Sequence, residues 1–231
     1  MARHSRVCEY KGGGRILSPQ RPGKLADSTQ GEERANAVTH ALGIILSLAA
    51  TAWLSFIADA SGNALQVITY PVFGVSAVLL YTVSTIYHLQ VRGDAKRRMK
   101  MIDHISIYYL IAGTYTPVTL VGLGGAWGWS LFGVVWALAL AGTVFKLFFT
   151  GRYPKVSTAL YVAMGWTAIV AIVPLVQTLR PDTLLWILGG GVAYTGGVAF
   201  YAWKRLPYNH ALWHLCVLAG TACHVMAVAG L

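Results

Sequence analysis

The stretch NHALWHLCVLAGTACHVMAVAGL fills residues 209–231 and contains no Lys, Arg, Asp or Glu. About 20 apolar residues, rising 1.5 Å each along a helix, cross the roughly 30 Å hydrocarbon core of a bilayer. The stretch therefore reads as a membrane-spanning helix, and this reading sets the class of the whole chain. Two imidazoles, His210 and His214, stand four residues apart at its mouth. A bare imidazole gains nothing from lipid, so the pair is either polar filler with other partners or a pair of ligands.

Working outward, the same pattern recurs. The chain has 231 residues, 56% of them hydrophobic and 11% charged, with a mean hydropathy of +0.57. Apolar runs bounded by charge, Gly or Pro fall at 36–58, 65–90, 102–123, 127–149, 156–179, 183–203 and 209–230. The expected fold is an all-α membrane protein, a seven-transmembrane-helix bundle over residues 32–231, with gaps too short for a soluble domain. Residues 1–31 are rich in Gly, Pro and basic side chains and read as a disordered basic arm. The first 35 residues hold no apolar run, so no cleavable signal peptide is expected. Cys8, Cys216 and Cys223 are odd in number and lack a C-x-x-C pair, so neither a disulfide nor a thiolate metal site is expected.

Seventeen of the eighteen Lys and Arg lie before run 1, near the end of run 4 or in the segments after runs 2, 4 and 6, leaving Arg180 on the other side. Basic residues near span ends are retained in the cytoplasm, which predicts a cytoplasmic amino terminus and an extracytoplasmic carboxyl terminus. The net charge of +10 follows from this topology, so it argues for anionic lipid headgroups as neighbours and not for nucleic acid.

Polar side chains inside spans are the candidates for function. Runs 4, 5 and 6 lack His and carboxylates; Lys146 is expected to snorkel outward from run 4, Pro174 to kink run 5, and the glycines of GGGVAYTGGVAFY in run 6 to admit a close helix neighbour. His40, with Glu32 and Glu33, is expected to cap and anchor run 1. The remaining groups are Ser84 and His88 in STIYHL, Asp103 and His104 in MIDHIS, and His210, His214 and His224; of these, His88, Asp103, His210 and His214 fall in one layer when the runs alternate in direction. At i and i+4, His210 and His214 lie about 40° apart and can share one ion, whereas His224 lies about 15 Å further along the axis and cannot join them. Asp103 and His104 are about 100° apart, and the carboxylate is the costlier group to leave facing lipid, so Asp103 is the one expected to face inward.

Three neutral imidazoles with an open fourth position describe a catalytic zinc site. His88, His210 and His214 are the candidate Zn2+ ligands. Asp103 is the candidate acceptor for the metal's water and its general base, and Ser84, one turn deeper than His88, could bond the nucleophile or merely hold a helix contact.

The motifs EERANAVTHALG, STIYHL, DHISIYYLIAGTYTP and GGVAYTGGVAFYAWKRLPYNHALWHLCVLAGTACH, taken in order over residues 32–228, resemble the hemolysin III family, the bacterial branch of the progestin and adipoQ (adiponectin) receptor superfamily. The resemblance implies a seven-helix integral protein of the cell inner (plasma) membrane. It also implies zinc near the cytoplasmic face, on His88, His210 and His214 with Asp103 at the metal's water and Ser84 as the remaining motif residue. The superfamily resembles the alkaline ceramidases, which suggests hydrolysis of a membrane lipid amide or ester, with an acyl chain between helices. The alternatives are a non-enzymatic sensor or regulator of membrane lipid or energetics homeostasis with a structural zinc, and a pore-forming cytolysin. No continuous polar stripe favours a pore, and a retinal protein is disfavoured because run 7 lacks a Lys for a Schiff base.

Overall fold

A computed structural model describes residues 28–91 and 93–231; most of the expected amino-terminal arm therefore lies outside the described residues. The described part is helical throughout. Helices α1 (Gln30–Ser61), α2 (Ala64–Leu89), α3 (Asp94–Pro117), α4 (Gly125–Phe149), α5 (Pro154–Gly165), α6 (Ile172–Thr178), α7 (Pro181–Ala202) and α8 (Asn209–Ala229) follow in chain order. A π-helical segment, Val118–Leu123, extends α3, and a 3₁₀ segment, Thr167–Ala171, joins α5 to α6. Together they make seven helices long and apolar enough to cross a membrane.

The spans agree with the apolar runs, but α1 and α3 begin six to eight residues earlier than hydropathy alone suggests. At α1 the reason is a capping box. The Thr29 hydroxyl accepts from the Glu32 amide while the Glu32 carboxylate accepts from the Thr29 amide. The helix thus starts at Gln30, so the last two residues assigned to the arm are helical instead.

Two residues turn α1 into α2. Gly62 ends α1 at φ 67°, a left-handed conformation that a Cβ would disfavour, and the Asn63 side chain caps α2 by accepting from the Leu65 amide at 2.9 Å. The fifth span breaks over Thr167–Ala171, immediately before Pro174. Pro174 cannot donate to the carbonyl of Val170 and its ring crowds that group, so the expected kink takes the form of a 3₁₀ segment.

Two apolar clusters form the interior. One joins α3, α4 and the fifth span through Tyr108, Tyr115, Val135, Ala139 and Leu175. The other joins α1, α2, α3 and α8 through Leu54, Tyr70, Phe73, Tyr81, Val217 and Val228. Helix α3 serves both. Close approach depends on small residues: a Cβ on Gly43 of α1 would lie 2.7 Å from the Tyr81 ring, and one on Gly197 of α7 would lie 2.8 Å from Trp213. Beside the second cluster, Thr221 accepts from Tyr81 at 2.6 Å, lies 2.8 Å from the Tyr194 hydroxyl, and donates to the Val217 carbonyl at 3.0 Å, tying α2, α7 and α8.

Gly142 of α4 packs directly on the Tyr108 ring, whereas Gly133, also in α4, has open space where a Cβ would stand. Gly142→Ala is expected to destabilise the protein by about 1–3 kcal/mol through overpacking. Gly133→Ala should leave stability equal or slightly raised, because Ala is the better helix former. Thermal unfolding of the two variants in detergent checks the contrast.

Candidate metal centre

The end of α2 and the start of α8 bring three imidazoles together. His88, His210 and His214 each present a ligand atom, and these atoms lie within 4.8 Å of one another. Ring centroids are 5.1 Å apart for His88 with either partner and 4.5 Å apart for His210 with His214. Nitrogens sharing one zinc stand about 3.3 Å apart, so a modest inward contraction completes the set.

The hydrogen bonds on the far side of two rings fix which nitrogen faces the cluster. His214 Nδ1 is 3.1 Å from the Asn36 carbonyl and 3.1 Å from the Thr39 hydroxyl. A carbonyl can only accept, so Nδ1 carries the proton and Nε2 keeps its lone pair. His88 Nδ1 is 2.9 Å from the Glu33 carboxylate, which gives the same tautomer. Lys96 meets the same carboxylate oxygen at 3.0 Å. The Nε2 atoms of His88 and His214 are buried and have no hydrogen-bond partner among the described residues. Two orphaned, lone-pair nitrogens from different helices beside a third imidazole are what a divalent cation with a preference for nitrogen requires. The residues present fit zinc.

Asp103 and Ser84 stand outside this trio but line the same cavity as His210. Asp103, 8% exposed, is the buried member of its pair; its carboxylate lies 3.5 Å from His104 Nδ1, which donates to the Lys100 carbonyl at 2.7 Å. The cavity measures ≈ 310 Å³ and runs from this polar end past Leu80, Ile107 and Leu110 to Val217 and His224. His88 and His214 are not on its wall, so His210 is the candidate ligand nearest its contents.

Three expectations need correction. His40 does not anchor the start of α1. It is buried at 2% exposure, stacks on His214 with centroids 3.5 Å apart, and meets Tyr81 edge-on. Only Glu32 of the acidic pair caps the helix, while Glu33 turns to His88. Lys146 does not snorkel: it is 3% exposed and its ammonium lies 5.5 Å from the Tyr161 ring, inside the bundle. His224 lies apart from the trio, donating to its own helix at the Gly220 carbonyl, 2.8 Å away, with Gly190 making room for its ring.

The contributions of Glu33, Asn36 and Thr39 are absent from the sequence reading. The available signal was their spacing: residues 33, 36 and 39 stand three apart along one side of the helix.

Comparison with known proteins agrees with this architecture. The family described as Haemolysin-III related matches residues 29–225. Hemolysin-3 of Bacillus cereus is 46% identical over 191 residues, covering 83% of this chain and 87% of that protein. Hemolysin-3 homolog of Bacillus subtilis (strain 168) is 43% identical over 197 residues, covering 85% and 92%. A human protein named monocyte to macrophage differentiation factor is 28% identical over 203 residues, covering 85% and 83%. With seven apolar helices and these relatives, the chain belongs to the hemolysin III family and is an integral membrane protein, which in bacteria means the plasma membrane.

Proposed function

We propose that the protein is a zinc-dependent hydrolase of a membrane lipid amide or ester, oriented with its amino terminus in the cytoplasm. The observation that carries the reading is the trio itself: three imidazoles, two of them held as neutral donors from behind, beside a largely apolar cavity that His210 and Asp103 both line. Zinc on His88, His210 and His214 would leave a fourth position open, polarise a carbonyl there and lower the pKa of a water toward about 7.

The chain's own groups supply the rest. The Asp103 carboxylate takes a proton from water as its oxygen attacks the carbonyl carbon. It then returns that proton to the amine or alcohol released when the C–N or C–O bond breaks. Ser84 offers a hydroxyl to the developing oxyanion. The apolar wall of Leu80, Ile107, Leu110 and Val217 holds the acyl chain and excludes water. Glu33, Asn36 and Thr39 hold the rings in register, since partners behind a ligand typically contribute 10–100-fold to metal affinity.

A second reading has its own support. The trio links α2 to α8, and both are stitched to α1 through Glu33 and Asn36, so zinc could serve as a structural staple in a sensor of membrane state.

Asp103→Asn separates the two. Hydrolysis predicts stoichiometric zinc by metal analysis together with a roughly 10²–10⁴-fold loss of lipid-amide or ester turnover; a staple predicts zinc retained and phenotype unchanged. Zinc-free wild-type protein would remove the first reading. Glu33→Gln is expected to weaken zinc about 10–100-fold in competition with a chelator, because the carboxylate behind His88 loses its charge. For the topology, a carboxyl-terminal alkaline phosphatase fusion should be active, and a fluorescent protein fused at the same place should stay dark.

A further inference from the structure

Lys146 is a buried cation that the zinc site does not use. It sits in the last turn of α4, lines the cavity, and has no carboxylate within salt-bridge distance among the described residues. An ammonium turned inward in a membrane bundle is costly unless an anion or aligned dipoles meet it. The Tyr161 ring at 5.5 Å meets one side only.

Two independent features share that wall. Ser157 of α5 is 3% exposed, and its hydroxyl has no hydrogen-bond partner among the described residues although the residue lines the cavity. Helix α5 itself begins at Pro154 with no side-chain cap. Its first helical hydrogen bond is from the Ser157 amide to the Tyr153 carbonyl at 3.1 Å, so the amides of Lys155 and Val156 precede the ladder. Tyr153, Pro154 and Gly151 bring the cavity to the α4–α5 loop. On the charged part of the lining, Lys100 and Lys146 outweigh Asp103, which is turned toward His104.

We propose that Lys146, Ser157 and the first turn of α5 form an oxyanion subsite that takes the phosphate of an anionic phospholipid, whose chain occupies the apolar part of the cavity. A phosphate has enough oxygens to meet an ammonium, a hydroxyl and helix-terminal amides at once. The α4–α5 loop lies at a basic end of the bundle, where anionic headgroups concentrate. Free phosphate has the same chemistry, and the two sources are separable. The subsite stands on the cavity and does not depend on hydrolysis.

The test is a titration of purified, delipidated protein with phosphatidylglycerol, with diacylglycerol of the same chains and with inorganic phosphate, bound copies being counted by native mass spectrometry. Wild-type protein is expected to retain one phosphatidylglycerol. Lys146→Met should weaken it about tenfold or more, as expected for loss of a charged hydrogen-bond donor, and Ser157→Ala should weaken it several-fold. Arg205→Met removes an exposed charge from the α7–α8 loop, outside the cavity lining, and should stay within about twofold of wild type. Displacement of the lipid by inorganic phosphate supports a site that reads phosphate alone; Lys146-dependent binding without displacement supports the headgroup as the source. Diacylglycerol binding equally well, or equal losses in the Lys146 and Arg205 variants, overturns the proposal. If Lys146→Met does not run as a monodisperse species, Ser157→Ala carries the test, and unchanged affinity there overturns it. Chelator-treated protein should bind alike, so failure of the zinc hydrolase reading leaves this outcome interpretable.

Discussion

An imidazole buried among apolar helices has two nitrogens to satisfy, and α1 satisfies one on each of two rings. The Asn36 carbonyl and the Glu33 carboxylate accept the Nδ1 protons of His214 and His88, which leaves both Nε2 lone pairs facing inward without partners. Much of the surrounding structure follows from that requirement. Helix α1 must begin early enough to place Glu33 and Asn36 beside the ligands, and the Thr29–Glu32 capping box starts it there. It must also lie close to α2 and α8, and Gly43 allows this, since any side chain at that point would overlap Tyr81 and Leu218. An orphaned nitrogen in such a setting is destabilising by itself. The protein therefore keeps a local cost at the centre that a cation would relieve.

The cavity divides labour along its length. At one end the polar groups of α2, α3 and α8 converge with the basic wall at the α4–α5 loop; further in, the wall is aliphatic and aromatic. Helix α3 shapes all of this, because it belongs to both apolar clusters and contributes Asp103, Ile107 and Leu110 to the wall. An amphiphile matches that sequence of surfaces better than a fully polar or fully apolar ligand does.

The fold was legible in the sequence because hydrocarbon imposes one rule on every span, and the runs obey it. The trio was legible for the same reason: against an apolar background, His88, His210 and His214 stand out, and alternation of the spans puts them in one layer. Other residues were hidden by ambiguity. An acid near a helix start reads as a cap, so Glu33 was indistinguishable from Glu32 until its rotation about α1 was known. The roles of Asn36 and Thr39 include a backbone carbonyl, which no residue type announces. Lys146 near a span end can turn outward or inward, and only the position of Tyr161 and the cavity decides it. His40 was a lone imidazole without a spaced partner, and its stacking on His214 depends on the close approach of α1 to α8.

The two-residue turn at Gly62 and Asn63 also sets an order of events during synthesis. Helices α1 and α2 form a hairpin from adjacent sequence, so Glu33 can engage His88 as soon as that hairpin inserts. His210 and His214 arrive only with α8, after the four other spans. At roughly 5–20 residues per second, His88 waits on the order of ten seconds for its partners. In the finished fold Glu33 holds its ring and Lys96 holds Glu33. The cluster therefore closes last, and metal capture would report that the final helix has docked in register.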